Sequence, residues 1–268
     1  MRSARGGPPA LPDPAPPVTV IIPTYDYSSV LRHAIRSVLW QTYTDFELLV
    51  IGDGCTDDSE EVVASFADPR VRWRNLPENA GSQSAPNNAG LDMAAGKYVA
   101  YLGHDDLWHP WHLAAVVGAL ERGGKAWAHG LVELIGPPGS RLKLIGGLEP
   151  TPERTLGRWV PPTSMVHRAD AGREVRWRLP RELERPTDVD FADRLQLAVG
   201  SPLRVHALTS FKFVATWRPG CYRTKRDDEQ AAWARRVETE PRLLERELAS
   251  LFLHRVSPLH GRLPPEPE

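Results

Sequence analysis

Cysteine is scarce in this chain, and long apolar stretches are missing. The 268 residues include only two cysteines, Cys55 and Cys221, which form no C-x-x-C pair. Two isolated cysteines provide neither a disulfide framework nor a zinc motif, so a reducing compartment is expected, and the prediction is cytoplasmic. No apolar run approaches the roughly 18 residues that a membrane-spanning helix requires, so no transmembrane segment is expected.

The chain has almost no net charge and lacks the common phosphate-binding motifs. Lys plus Arg number 33 and Asp plus Glu number 34, which gives a formal net charge of −1. This balance lacks the basic excess of nucleic-acid-binding domains, so no nucleic-acid partner is expected. Neither G-x-x-x-x-G-K-[ST] nor G-x-G-x-x-G occurs, which argues against a P-loop enzyme and a dinucleotide-binding Rossmann domain.

The two ends of the chain differ in composition from its middle. Residues 1–17 are rich in proline and lack the apolar core of a signal peptide, and residues 264–268 read Pro-Pro-Glu-Pro-Glu. Both segments are predicted to be disordered, as a leader and a tail. Between them we expect a regular half over residues 18–120, a less regular half of the same domain over residues 121–226, and terminal helices over residues 227–263.

Hydrophobic patterning in the first half alternates between buried strands and amphipathic helices. Strands are predicted at residues 18–23, 47–52, 71–76 and 98–102, and the intervening helices begin near residues 28, 57, 84 and 111. This βαβαβαβα order predicts a parallel sheet covered by helices on both sides. Ser28 or Ser29 is the expected cap of the first helix.

The second half gives a weaker pattern. Strands are predicted at residues 127–135, 142–145 and 203–216, and a helix at residues 188–199. One or two terminal helices, bent or broken near Pro241, are expected at residues 227–254.

Polar residues follow three of the predicted parallel strands, whose carboxyl ends should meet at one edge. The first strand ends in Pro23-Thr24-Tyr25, Asp53 follows the second, and Asp105-Asp106 follows the fourth. A tyrosine ring stacks on a base, a carboxylate accepts from a base or ribose, and paired carboxylates bind a hard cation that neutralises a diphosphate. Each residue alone also fits a turn or a helix cap, but the set predicts a nucleoside diphosphate with a metal.

The strand-end motifs and the segments around them resemble those of family 2 glycosyltransferases of the GT-A fold. The matching segments are VTVIIPTYDYSSVLRHAIRSVLWQTYTDFELLVIGDGCTDDS and NAGSQSAPNNAGLDMAAGKYVAYLGHDDLWHP. The resemblance implies an α/β fold with a Rossmann-like, parallel-centred mixed sheet, in which residues 18–120 bind the nucleotide-sugar donor and residues 121–226 bind the acceptor. It also implies inverting transfer from a UDP- or dTDP-sugar to an unidentified acceptor hydroxyl, with Mn²⁺ or Mg²⁺ as cofactor.

The resemblance further implies roles for individual residues. Pro23-Thr24-Tyr25 would lie against the nucleoside, and Asp53 would bind the base. Asp105 would lie near the donor ribose or sugar, and Asp106 is predicted to be the direct metal ligand. We expect one protein carboxylate on the metal, because Gly103 stands where many members carry a further Asp.

A second departure concerns a basic residue. The family's usual Ala-Arg-Asn is Ala85-Pro86-Asn87 in this chain, which removes a cationic contact to the donor. Lys225 or Arg226 could supply that charge instead, although Lys-Arg is more often a solvated surface.

Inverting transfer needs a base that takes the proton of the acceptor hydroxyl. Asp188, at the start of the helix predicted at residues 188–199, matches the family's base position best, and Asp190 is the alternative. Asp188 or Thr187 could also simply cap that helix. Trp159 and His167 belong to a segment that resembles the acceptor side of the family, where His167 could also approach the metal.

Three other readings of the sequence stay open. His104, His109 and His112 lie close in sequence, but their spacing matches no closed zinc motif. A nucleotidyltransferase would share the nucleotide-binding sheet, yet the basic, glycine-rich loop it needs after the first strand is absent. A non-catalytic protein that binds nucleotide sugars is favoured by the glycine at position 103.

Overall fold

The computed structural model describes residues 17–139, 143–146 and 159–256 of the chain. The predicted leader, apart from Pro17, and the predicted tail lie outside these residues. The described strands are β1 Val18–Thr24, β2 Phe46–Gly52, β3 Val71–Asn75, β4 Tyr98–Tyr101, β5 Leu107–Trp108, β6 Trp127–Ile135, β7 Lys143–Gly146, β8 Met165–Arg168 and β9 Leu203–Phe213.

Nine α-helices accompany these strands within the described residues. They are α1 Ser28–Leu39, α2 Ser59–Ala64, α3 Ser84–Met93, α4 His112–Gly123, α5 Ala169–Val175, α6 Thr187–Val199, α7 Cys221–Thr224, α8 Asp228–Thr239 and α9 Leu243–Val256. The predicted break near Pro241 is confirmed, because α8 ends and α9 begins on either side of it.

The strands form one mixed sheet in the order β3-β2-β1-β4-β8-β6-β9-β5, with β7 paired to β6. Strands β3, β2, β1 and β4 run parallel. Strand β8 is antiparallel to both β4 and β6, whereas β9 runs parallel to β6. The prediction of a parallel-centred mixed sheet flanked by helices is therefore confirmed.

The buried strand β1 divides the core into two layers. Val20 packs in one cluster with Ile35 of α1, and Ile21 packs in the other with Leu91 of α3 and Phe191 of α6. Alternate residues of a strand point to opposite faces, so a continuous apolar run requires helices on both faces. This packing fixes the carboxyl ends of β1, β2 and β4 at one edge of the sheet.

The structure differs from the sequence prediction at one helix cap and at two short strands. The N-cap of α1 is Tyr27, which makes no side-chain cap bond, and the hydroxyl of Ser28 donates to Asp58 instead. Strands β5 and β8 were not predicted, because two and four residues are too few to show a periodic pattern. Strand β8 nevertheless joins the two halves of the chain, since it pairs with β4 and β6.

One finding bears on membranes. Among the described helices, none combines the length and the apolar character that crossing a bilayer demands.

Buried histidines make the core sensitive to acid. His112 is fully buried, its Nδ1 lies 2.9 Å from Thr209 Oγ1, and its ring stacks on Trp108. Burial lowers the pKa of His112 to about 3, and burial likewise lowers the pKa values of His129 and His167 to about 4. These side chains are therefore neutral in the folded protein at neutral pH.

We predict that the free energy of unfolding decreases as pH falls from about 6.5 towards 4. The folded-state pKa values lie below the unfolded value of about 6.5, so in this window the unfolded chain binds protons that the folded chain excludes. Urea unfolding at pH 7.5 and pH 5 measures the effect. His112→Asn should lose about 2 kcal/mol less stability than the wild type between these pH values. The exposed His206→Asn is the matched control, and an unchanged pH dependence in His112→Asn would contradict the account.

Candidate functional site

The carboxyl ends of β1 and β2 are joined at the edge of the sheet. The amide of Asp53 donates to the carbonyl of Thr24 at 2.8 Å. The Asp53 carboxylate is 4% exposed and accepts from the Ala80 amide at 3.1 Å. Burial raises the pKa of Asp53, and the amides of residues 80–82 lower it in part. Asp53 thus anchors the loop after β3 at the predicted nucleoside side.

The end of β1 also contacts the loop after β4. Thr24 is buried, and its hydroxyl lies 3.0 Å from Nδ1 of His104. Tyr25 is 46% exposed beside it, and Pro23 is half-buried. The structure therefore brings Pro23-Thr24-Tyr25, Asp53 and the loop of residues 103–106 to one edge, as expected from the parallel strands.

Asp106 is a buried carboxylate that accepts hydrogen bonds from three donors. Burial raises the pKa of Asp106, and the Lys212 ammonium and the Thr163 hydroxyl lower it in part. Asp106 is 0% exposed, and its Oδ2 accepts from the Thr163 hydroxyl and from Lys212 Nζ at 3.0 Å. Its Oδ1 accepts from the Phe213 amide at 3.0 Å. The antiparallel pairing of β5 with β9 brings these groups together. Asp106, predicted as the direct metal ligand, is thus turned into the protein and neutralised by a lysine, which does not suit that role.

Gly103 leaves the space that this arrangement needs. A Cβ at position 103 would lie 2.7 Å from Oδ2 of Asp106 and 3.2 Å from Oδ1 of Asp105. The Asp106 carboxylate cannot move away readily, because three donors hold it. The glycine therefore accommodates the buried ion pair, in addition to lacking the further carboxylate of many family members.

Asp105 is the acid that faces a cavity. It is half-buried and lines a cavity of about 580 Å³ together with Tyr27, Trp217 and Arg226. The Tyr222 hydroxyl of α7 donates to Asp105 Oδ2 at 3.5 Å. Two neighbouring carboxylates thus have different environments, one inside the protein and one at the cavity.

The acidic residues differ in how well they suit a divalent cation. Within the described part of the chain, the one group of three close candidate ligands is Asp26, Cys55 and Asp57. Asp26 already accepts from the amides of Thr56 and Asp57, at 2.7 and 3.2 Å, so this group organises the loop after β2. Asp105 fits a cation differently, because Mg²⁺-type sites often use one or two carboxylates and complete the shell with substrate phosphates.

Asp188 and Asp190 at the start of α6 have different surroundings. Asp188 is half-buried, and its Oδ2 accepts from the indole N–H of Trp159 at 2.6 Å. Asp190 is 2% exposed and forms ion pairs with Arg185 at 3.3 Å and Arg194 at 2.6 Å. The arginines commit Asp190 to a structural role, so of the two residues Asp188 is better suited to receive a proton. No side-chain cap bond is present at the start of α6.

His167, which the sequence predicted on the acceptor side with a possible approach to the metal, lies buried in the core. It is 0% exposed, and its Nε2 lies 3.0 Å from the Tyr101 hydroxyl while Nδ1 contacts the carbonyl of Arg168 at 2.8 Å. Because β8 pairs with β4 on one side and β6 on the other, its alternate side chains enter the buried layers. Trp159, in contrast, is 37% exposed and remains available to a ligand.

The zinc reading of the sequence also finds no support. Across the described residues, His104, His109 and His112 do not form a cluster of close ligand atoms. His104 contacts Thr24 and His112 contacts Thr209, on opposite sides of the loop.

Lys212 was not predicted from the sequence as a residue of the site. Its ammonium pairs with Asp106, and burial, which lowers the pKa of Lys212, is outweighed by the charges of Asp106, Asp105 and Asp188, so the pKa is raised overall. One lysine is therefore under the electrostatic influence of all three candidate carboxylates. The available signal was a single cation within the apolar strand TSFKF. The predicted Arg226 lines the cavity but pairs with Asp228, and Lys225 accepts from Ser29 through its carbonyl.

Comparisons with known proteins identify relatives of the chain. The model of the family described as glycosyl transferase family 2 matches residues 19–168. Poly(ribitol-phosphate) beta-N-acetylglucosaminyltransferase TarP of Staphylococcus aureus is 41% identical over 95 residues, which are 34% of this chain. The match spans 29% of TarP, and seven further curated relatives are covered to 31% of their length at most.

Solved structures show the same fold at low identity. S. aureus TarS 1-349 in complex with UDP-GlcNAc has a TM-score of 0.64 and 19% identity, over 89% of this chain and 72% of that chain. The mannosyltransferase PcManGT of Pyrobaculum calidifontis, in complex with GDP-Man and Mn²⁺, has a TM-score of 0.58 and 17% identity, over 93% and 74% of the two chains. These likenesses confirm the predicted GT-A fold.

We predict unequal effects on stability for substitutions of the two neighbouring acids. Asp106→Asn should lower the free energy of unfolding by roughly 3 kcal/mol, because breaking a buried ion pair leaves the Lys212 ammonium uncompensated. Asp105→Asn should change it by about 0.5 kcal/mol or less, because this side chain keeps access to solvent. Urea unfolding of the two variants measures both changes in the free energy of unfolding. Equal losses would contradict the assignment of Asp106 to the interior and Asp105 to the cavity.

Proposed function

We propose that this chain, which belongs to glycosyl transferase family 2, transfers a sugar from a UDP- or dTDP-sugar to an acceptor hydroxyl with inversion at the anomeric carbon. The observation that carries the proposal is the position of Asp105 on the wall of a cavity, at the edge of the sheet where Asp53 also follows a parallel strand. Asp188, at the start of α6, is near enough for its charge to act on Lys212, which pairs with Asp106 at 3.0 Å. The nucleotide complex of TarS supports a uridine nucleotide on this fold.

The donor nucleoside lies at the ends of β1 and β2 in this proposal. Tyr25 offers an exposed ring on which a base can stack. Asp53 binds the base, and the loop of residues 80–82, which it anchors, shapes that side of the pocket. The diphosphate then extends towards Asp105 at the neighbouring strand end.

Asp105 takes the metal-binding role in place of Asp106. Its carboxylate lines the cavity, whereas the carboxylate of Asp106 is enclosed by Thr163, Lys212 and Phe213. A bound Mn²⁺ or Mg²⁺ would neutralise negative charge on the departing diphosphate. The PcManGT complex with Mn²⁺ supports such a cation on this fold.

Asp188 acts as the base. It removes the proton of the acceptor hydroxyl while that oxygen bonds to the anomeric carbon, and the bond from that carbon to the diphosphate breaks with its electron pair on the departing nucleotide. The indole N–H of Trp159 orients the carboxylate at 2.6 Å. The exposed ring of Trp159 lies beside the Asp188 carboxylate, where an acceptor sugar could stack on the ring.

We predict that UDP binds more tightly than GDP and that Mn²⁺ strengthens the binding. Asp105→Asn should weaken UDP binding in Mn²⁺ by tenfold or more, about 1.4 kcal/mol, because it removes the protein carboxylate from the cation. Isothermal titration calorimetry with UDP, GDP and EDTA controls measures both effects. Asp45→Asn is the matched control, since Asp45 is exposed and precedes β2 at the opposite edge of the sheet. Binding that is indifferent to Mn²⁺ and to Asp105→Asn would exclude the metal role.

We predict that Asp188→Asn lowers kcat by about 10² to 10⁴ without weakening UDP binding, because general-base catalysis contributes about this much. Trp159→Phe keeps an aromatic ring but loses the N–H donor, and it should lower kcat by roughly tenfold. UDP release from UDP-GlcNAc, with a panel of sugar and polyol acceptors, reports the rates.

The control for the base is Asp190→Asn. This variant should lose stability, because three arginines surround Asp190, yet retain kcat in its folded fraction. Full activity of Asp188→Asn would place the base elsewhere. Tight UDP-GlcNAc binding with no release of UDP by the wild type would favour the non-catalytic alternative.

A further inference from the structure

We infer that Lys212 is the protein's own cation for the donor diphosphate, in addition to its ion pair with Asp106. The inference rests on the proposed function, because it requires a nucleoside diphosphate beside Asp105. Lys212 lies one residue before the end of β9, and the next residue, Phe213, lines the same cavity as Asp105.

The ion pair is closed on the side of the acid and open on the side of the lysine. Asp106 is 0% exposed, whereas the side chain of Lys212 keeps 21% of its exposure. The ammonium has three N–H donors, and the 3.0 Å bond to Asp106 Oδ2 uses one of them. The remaining donors are available to a ligand that approaches the exposed part of the Lys212 side chain.

The charges around Lys212 show why a diphosphate needs this ammonium. The carboxylates of Asp105, Asp106 and Asp188 all act electrostatically on Lys212 and raise its pKa against the effect of burial, so negative charge exceeds positive charge in this region. The arginines that line the cavity are already paired, since Arg218 binds Glu229 and Arg226 binds Asp228. Lys212 is also paired, but its bond to Asp106 uses one of its three N–H donors, so a diphosphate that approaches Asp105 can bind to the other two.

Gly103 and Lys212 are linked sterically through Asp106. A side chain at position 103 would press on Oδ2 of Asp106, the atom that holds Lys212. The glycine removes a negative charge at the edge of the sheet and leaves room for the ion pair. The site with Gly103 repels a diphosphate less than a site that carries an additional carboxylate. Its affinity for the diphosphate should therefore fall less when the metal is removed.

The test is calorimetry of UDP and UMP in EDTA, so that no metal contributes. The wild type should bind UDP several-fold more tightly than UMP, because the second phosphate reaches the ammonium. Lys212→Met should weaken UDP binding by tenfold or more. The ratio of the UDP affinity to the UMP affinity, called the UDP-to-UMP ratio, should then be close to one. Lys212→Arg keeps the charge and should retain most of the ratio.

A double variant separates this role from a structural one. Lys212→Met alone leaves the buried Asp106 unpaired, which could disturb the site indirectly, whereas Asp106→Asn combined with Lys212→Met removes both charges. The inference predicts that the double variant is more stable than Lys212→Met yet still binds UDP weakly. Recovery of the wild-type UDP-to-UMP ratio in the double variant would reduce Lys212 to a partner of Asp106.

The outcomes also distinguish the inference from the proposed function. UDP binding by the wild type that Lys212→Met leaves unchanged overturns the inference and leaves the proposed donor standing. Absence of UDP binding by the wild type, with and without Mn²⁺, overturns the proposed donor and the inference with it.

Discussion

The buried ion pair between Asp106 and Lys212 is the interaction on which the rest of the site depends. Asp106 closes the loop after β4, and Lys212 belongs to β9, more than a hundred residues later. Thr163 and the Phe213 amide complete the contacts of the carboxylate. A buried carboxylate is costly unless it is paired and fully hydrogen-bonded, so the loop and β9 have to meet in this one way.

This constraint separates the functions of adjacent residues. Asp106 is committed to the interior, whereas Asp105 lines the cavity, where we propose it meets the metal. The same constraint explains the glycine at position 103, because any Cβ there would collide with Asp106. A similar separation operates at α6, where arginines hold Asp190 and leave Asp188 to the indole of Trp159.

Much of the fold was predictable from the sequence. Which residue of the acidic pair is buried and which faces the cavity was not. The apolar runs of β1 and β2 correctly predict that the polar residues at their ends meet at one edge of the sheet. Which of Asp105 and Asp106 is buried depends on Lys212, which is remote in sequence and carries no local signal beyond a cation in an apolar strand. The burial of His167 was not predictable for a related reason, because β8 is a four-residue strand whose burial comes from its neighbours.

The most direct test of the central claim is a crystal structure of the chain with UDP and Mn²⁺. The account predicts that the cation binds the Asp105 carboxylate at the roughly 2.0–2.6 Å typical of oxygen ligands, with diphosphate oxygens completing its shell. Lys212 Nζ should lie within hydrogen-bonding distance of the diphosphate, and Asp106 should keep its present partners. A cation coordinated by Asp106, with Lys212 displaced from it, would contradict the account.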